Sequence, residues 1–206
     1  MSTSMNTMGQ ANAHWGVCGF TSSFYAMHEL NQSKRPQLIG AGTASRVLAE
    51  IKTYLMILKA EGNTVVLDDI AKFTRSFGGD FGDFTIDKYI TLVNSAVSRT
   101  DEEIKDDANY GIAMPPDAVA DYLRRIWEFD SKVQTVSGGD GGSKDGILGV
   151  TEGKMPLYSG LCHYLYRLRG TIYSWGGTYT SVADAANGGA GGAKWRVCYF
   201  IDVQPK

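Results

Sequence analysis

Cys18 is the residue of this chain whose surroundings most favour chemistry. It stands in Trp15-Gly16-Val17-Cys18-Gly19-Phe20, between two glycines and just ahead of a helical periodicity. That position puts the sulfur at a helix N-terminus, where free N–H groups and the positive end of the dipole favour thiolate over thiol. Gly19 leaves room for a substrate backbone to approach closely. The competing reading is a small buried hydrophobe. A nucleophilic cysteine needs a base, and the chain holds three histidines. His28 lies ten residues on in the same helix, roughly 15 Å along its axis, out of reach of Cys18. His14 precedes the turn, either packing a loop or lining the site. His163 opens the run Leu161-Cys162-His163-Tyr164-Leu165-Tyr166, and a strand end is a rigid platform for a base. The ordinary alternative is a half-buried strand histidine.

A hairpin orients that base. With Arg169-Gly170 as its two turn residues, Leu168 faces Thr171, Arg167 faces Ile172, Tyr166 faces Tyr173, and so on outward to His163 facing Gly176. Opposed residues share a face and alternate residues repeat it. Ser174 and Gly176 then share the face of His163, where Ser174 can hydrogen-bond the imidazole and fix its tautomer. Tyr173 and Trp175 point the other way. By the same alternation Cys162 faces away from the site, into core.

The elements that must hold these residues divide the chain in two. The first half, about 15–130, reads helical: Phe20–Leu30, then Thr43 to about Glu61, whose stripe is Val47, Leu48, Ile51, Leu55 and Leu58. A shorter helix starts at Asp68-Asp69 and runs to about Phe77. A longer one covers Ile86–Ser98, and Pro115-Pro116-Asp117 opens a helix over Ala118–Phe129. The second half, about 131–206, carries short apolar or alternating runs: Lys132–Val136, Gly146–Thr151, Leu161–Leu168, Thr171–Trp175 and Trp195–Val203. Helices first and an antiparallel sheet second define an α+β fold of two packed layers, a single domain over 1–206.

This order resembles the papain-like cysteine peptidase superfamily. Cys18 heads an early helix, a helical lobe follows, and His163 starts a late hairpin ending in Tyr173-Ser174-Trp175-Gly176, similar to the family's Asn-Ser-Trp-Gly. About 145 positions separate the cysteine from the histidine, the family's scale. The resemblance implies a cysteine hydrolase of amide bonds: a peptidase, a peptidoglycan amidase or a glutamine deamidase. His163 would be its base and a thioester its intermediate. Tyr173 fills the place of the family's Asn, so the orienting residue is Ser174, the backbone or none. The family's oxyanion amide maps to Gln10 by residue type and to Asn12 by spacing, with the Cys18 N–H as second donor. Trp15 and Trp175 would wall the cleft. The small chain without a leader-like segment looks like bacterial effector toxins. That implies synthesis in the cytoplasm with export by a leaderless route, and a protein or peptidoglycan substrate with a cognate inhibitor or immunity protein as partner. No cofactor is required. The alternatives are a transferase using the same thioester, or a non-enzymatic protein-binding module in which Cys18 is core and the aromatics form an interface.

Composition narrows the classes further. Twenty basic against twenty-two acidic side chains give a net charge of −2, so no basic excess holds a nucleic-acid backbone. No apolar run reaches the roughly 18 residues of a membrane span. Three cysteines, a small and odd number, argue against a disulfide framework, and Cys162 and Cys198 lack zinc spacing. The Gly138–Gly142 stretch before Ser143-Lys144 fails the phosphate-loop spacing, and Gly188–Lys194 reads as a second loop. Asp80, Asp83 and Asp87 are not at calcium-loop spacing. The acidic cluster from Asp101 to Asp107 reads as a solvated helix face.

Overall fold

The computed structural model describes residues 16–30, 43–96, 99–105, 110–137, 139 and 141–206. Among these, six helices precede the sheet. They are α1 (Cys18–Leu30), α2 (Thr43–Ala60), α3 (Thr64–Arg75), α4 (Ile86–Ala96), α5 (Asp101–Lys105) and α6 (Pro116–Ile126). The strands are β1 (Phe129–Asp130), β2 (Val133–Thr135), β3 (Gly146–Thr151), β4 (Leu161–Leu168), β5 (Thr171–Ser174) and β6 (Gly177–Tyr179). A short helix α7 (Val182–Gly189) follows, then β7 (Arg196–Ile201) and β8 (Gln204–Pro205). The main sheet has the order β2-β7-β3-β4-β5-β6, antiparallel throughout, and β1 pairs with β8 beside it. The chain is therefore a mixed α+β protein with helices ahead of an antiparallel sheet.

The helical lobe closes on one side of the sheet through aromatic packing. Phe20 on α1 meets Tyr122 on α6 edge-on, ring centroids 5.0 Å apart, and Tyr54 on α2 at 6.1 Å. Tyr54 and Tyr122 themselves meet at 5.1 Å. Both hydroxyls are satisfied: Tyr54 donates to Asp121 Oδ2 at 2.9 Å and Tyr122 to Glu50 Oε1 at 3.1 Å. Edge-to-face pairs add about 0.5–1.5 kcal/mol each beyond the area they bury. This core runs on into the sheet through Ile147, Tyr164, Tyr166, Cys198 and Ile201. A smaller core lies on the other side, where Val182 and Ala185 of α7 cover Leu148, Val150, Leu165, Ile172, Val197 and Phe200. Buried on both faces, β3 reads as an unbroken apolar run.

Several boundaries differ from expectation for identifiable reasons. Helix α3 starts at Thr64, four residues before Asp68, because Asn63 caps it: its side chain accepts the Val66 N–H at 3.3 Å. Helix α6 stops at Ile126 because Glu128 takes a left-handed φ of 56°, which frees Phe129 for β1. Helix α7 occupies part of a stretch expected to be loop. Ser181 caps it, accepting the Asp184 N–H at 3.0 Å, and the helix runs through Gly188-Gly189. A Cβ on Gly189 would stand 1.7 Å from Trp175 Cε3, so glycine is what lets the indole lie against this helix. Strand β5 ends at Ser174, one residue short of Trp175. Strand β7 is shorter than the expected Trp195–Val203 and is followed by β8.

Candidate active site

Cys18 is the first residue of α1, and the Val17 carbonyl accepts the Phe20 and Thr21 N–H groups at 3.0 and 3.1 Å. Gly19 is buried against the segment entering α6. A Cβ there would meet Met114 Cβ at 3.0 Å and Val119 Cγ2 at 3.2 Å. Its small size thus serves close helix packing, and its N–H joins those of Cys18 and Tyr164 around the Cys18 sulfur. All three N–H groups pull the thiol pKa down, as a helix N-terminus should. Burial acts against them and is larger, so the thiol is pushed up to about 12. Against the expected lowering, desolvation around the half-buried sulfur outweighs the three N–H groups.

His163 lies on β4, and its Nε2 is 2.8 Å from Ser174 Oγ. The hairpin has the anticipated register, Tyr166↔Tyr173, Arg167↔Ile172 and Leu168↔Thr171, which carries Ser174 to the His163 side. Where Nε2–H donates to Oγ, Nδ1 keeps its lone pair to accept a proton. Trp175 stacks on the imidazole, centroids 4.3 Å apart and planes 12° apart, and Trp195 lies 5.2 Å away on a tilted plane. Burial in this enclosure lowers the imidazole to about 3, so it is neutral at ordinary pH. The expectation that Trp175 points away from His163 is therefore wrong. Ser174 pairs with Gly177, making Trp175-Gly176 a two-residue turn with φ of 46° and 77°. Both central residues have positive φ, as a type I′ turn demands, and alternation stops before Trp175. Tyr25, two turns along α1, takes the Gly176 N–H and packs on Tyr173, which ties the helix of Cys18 to this hairpin.

One cavity of about 120 Å³ has both Cys18 and His163 in its wall, together with Phe73, Phe77, Met114, Leu161, Cys162 and Trp175. Cys18 and His163 make no hydrogen bond to each other among the described residues; the imidazole's bond is to Ser174. Cys162, expected in core and away from the site, is half-exposed and lines this cavity. Its thiol donates to the Val150 carbonyl at 3.4 Å. Alternation is the reason: Cys162 shares the face of Tyr164, and that is the face α1 packs against. Trp195 and Tyr25 are further residues at the site that the sequence did not single out. Their only signal was aromatic type, which most core residues here share. Gln10, Asn12, His14 and Trp15 lie outside the described residues, as does the side chain of His28. Among the described residues no group of three or more His, Cys, Asp or Glu is placed to hold a metal ion. No described helix is long and apolar enough to cross a membrane. Comparison with protein-family models, with curated proteins and with solved structures gives no match.

Proposed function

We propose that this chain is a cysteine-dependent amide hydrolase of papain-like arrangement, with Cys18 as nucleophile, His163 as base and Ser174 orienting the imidazole. The observation that carries the reading is the 2.8 Å His163–Ser174 bond on the wall of the same cavity as the thiol at the head of α1. In this reading the Cys18 sulfur, met by the Tyr164 N–H at the edge of β4, gives its proton to His163 Nδ1 round that edge as it attacks the carbonyl carbon. The oxyanion forms beside the Cys18 N–H, and the amide of Gln10 or Asn12 is the second donor in this reading. The imidazolium then protonates the leaving amine, and water hydrolyses the thioester and restores the thiol. Thiol and imidazole start neutral, so charge develops only as the bond forms. Contacts between base and nucleophile in an empty site are often long and tighten with substrate bound. The substrate class is a protein or peptidoglycan amide, and an effector toxin with a cognate inhibitor is the biological setting that fits.

A non-enzymatic binding module is the second reading. It is favoured by burial holding all three thiols up, Cys18 to about 12 and Cys162 and Cys198 to about 11. Site-resolved iodoacetamide labelling of native protein from pH 6 to 10 separates the two. The hydrolase reading expects Cys18 labelling to slow about tenfold or more in His163→Gln, and to slow in Ser174→Ala, with Cys162 unchanged. Cys18 labelling that ignores both substitutions would leave the binding module as the reading.

A further inference from the structure

Cys162 is a nucleophilic group that the proposed mechanism leaves unused, although it stands in the wall of the same cavity as Cys18. We propose that Cys18 and Cys162 join in a disulfide under mild oxidation, closing the cavity and capping the thiol at the head of α1.

The backbone sets the two cysteines on one wall of that cavity. Cys18 Sγ is met by the N–H of Tyr164, two residues beyond Cys162 on β4. Covalent geometry puts Cys162 Cα only about 5 Å from that nitrogen. Cys162 and Tyr164 share one face of the strand. Tyr164 sends its hydroxyl to the Met114 carbonyl at 2.9 Å, which fixes that face as the helical side. Turning the Cys162 side chain towards Cys18 gives up one weak S–H···O contact to Val150. Cys198 is the wrong partner. It lies on β7, and β3 separates β7 from β4. Two strand spacings are about 9.6 Å, more than the roughly 7 Å that a disulfide spans between Cα atoms.

The step is an exchange with a low-molecular-weight disulfide such as oxidised glutathione. The Cys162 thiolate attacks one sulfur of the oxidant, the S–S bond breaks, and one thiol leaves. Cys18 Sγ then attacks the Cys162 sulfur of the mixed disulfide and displaces the second thiol. Two protein thiols are oxidised, one disulfide is reduced to two thiols, and the two protein protons end on those thiols. The bond itself does not depend on the hydrolase reading; only its consequence, loss of the nucleophile, rests on it.

The test is equilibration of the full chain with oxidised glutathione, followed by intact mass and non-reducing peptide mapping. The expected result is loss of two hydrogens, one joined peptide containing Cys18 and Cys162, and reversal by dithiothreitol. Cys198→Ser should still cross-link. Cys162→Ser should instead retain glutathione on Cys18. At equilibrium His163→Gln should reach the wild-type extent of cross-linking, more slowly where it slows Cys18 labelling, so the two proposals fail separately. Wild-type protein that carries glutathione on separate thiols, that joins Cys198, or that stays fully reduced while denatured chain oxidises would overturn the inference.

Discussion

The two sides of β4 differ in kind. Towards the helices stand Tyr164 and Tyr166, set in a large aromatic core that runs from α1 to β7. Away from them stand His163, Leu165 and Arg167, over a small core that α7 covers. There two buried polar side chains find specific partners. His163 meets Ser174, and the Arg167 guanidinium donates to the carbonyls of Lys144, Gly142 and Gly141 at 2.7, 2.6 and 3.0 Å. A strand's period of two lets adjacent residues live in these different environments. Buried polar groups without partners are costly, so His163 and Arg167 need specific bonds, as do the tyrosine hydroxyls of the larger core, while the aromatic rings need only volume. Packing on one side holds the platform on which the other side holds an imidazole.

The largest test of that contrast is acid. His163 stays neutral in the fold down to about 3, whereas its ordinary value is 6.5. Below 6.5 the unfolded chain binds a proton that the fold refuses. Stability is therefore complete above pH 6.5 and falls as pH drops towards 3, by up to about 5 kcal/mol. Urea midpoints at pH 7, 5 and 4 should fall less in His163→Gln than in wild type, and parallel curves would break the assignment of cost to this side. On the apolar side, Phe20→Ala removes three ring contacts and should cost about 3–5 kcal/mol with little dependence on pH. An equal or larger loss from Leu165→Ala would mean the smaller core matters as much. The smallest expected effect sharpens the polar side. Gly189→Ala forces Trp175 off its place against α7 at about 1–3 kcal/mol. It should change tryptophan fluorescence and let the imidazole titrate nearer 6.5 by NMR. An unaltered titration would show that Trp175 does not enclose His163.

Local pattern made some of this legible and left the rest hidden. The stripe of α2 and the Arg169-Gly170 hairpin could be read directly, because apolar periodicity and a two-residue turn are short-range signals. Counting from that turn set Tyr166 against Tyr173 and carried Ser174 to the His163 side. The same count failed at Trp175, where a second turn with positive φ ends the alternation. Helix α7 was hidden because Gly188-Gly189 argues against a helix locally. The glycines are there to admit Tyr179 and Trp175, and neither contact is visible along the chain.

The sequence by itself determined the α+β order, a cysteine at the head of α1, and a histidine and a serine on one face of a hairpin. These follow from periodicity, turn chemistry and strand alternation, all of which act over a few residues. Only the tertiary structure decided that desolvation outweighs the helix N-terminus at Cys18 and that Cys162 shares its cavity. The helix N-terminus favours the thiolate through N–H groups that the sequence implies. The desolvation that outweighs them comes from residues distant in the chain, brought together when the helical lobe closes on the sheet.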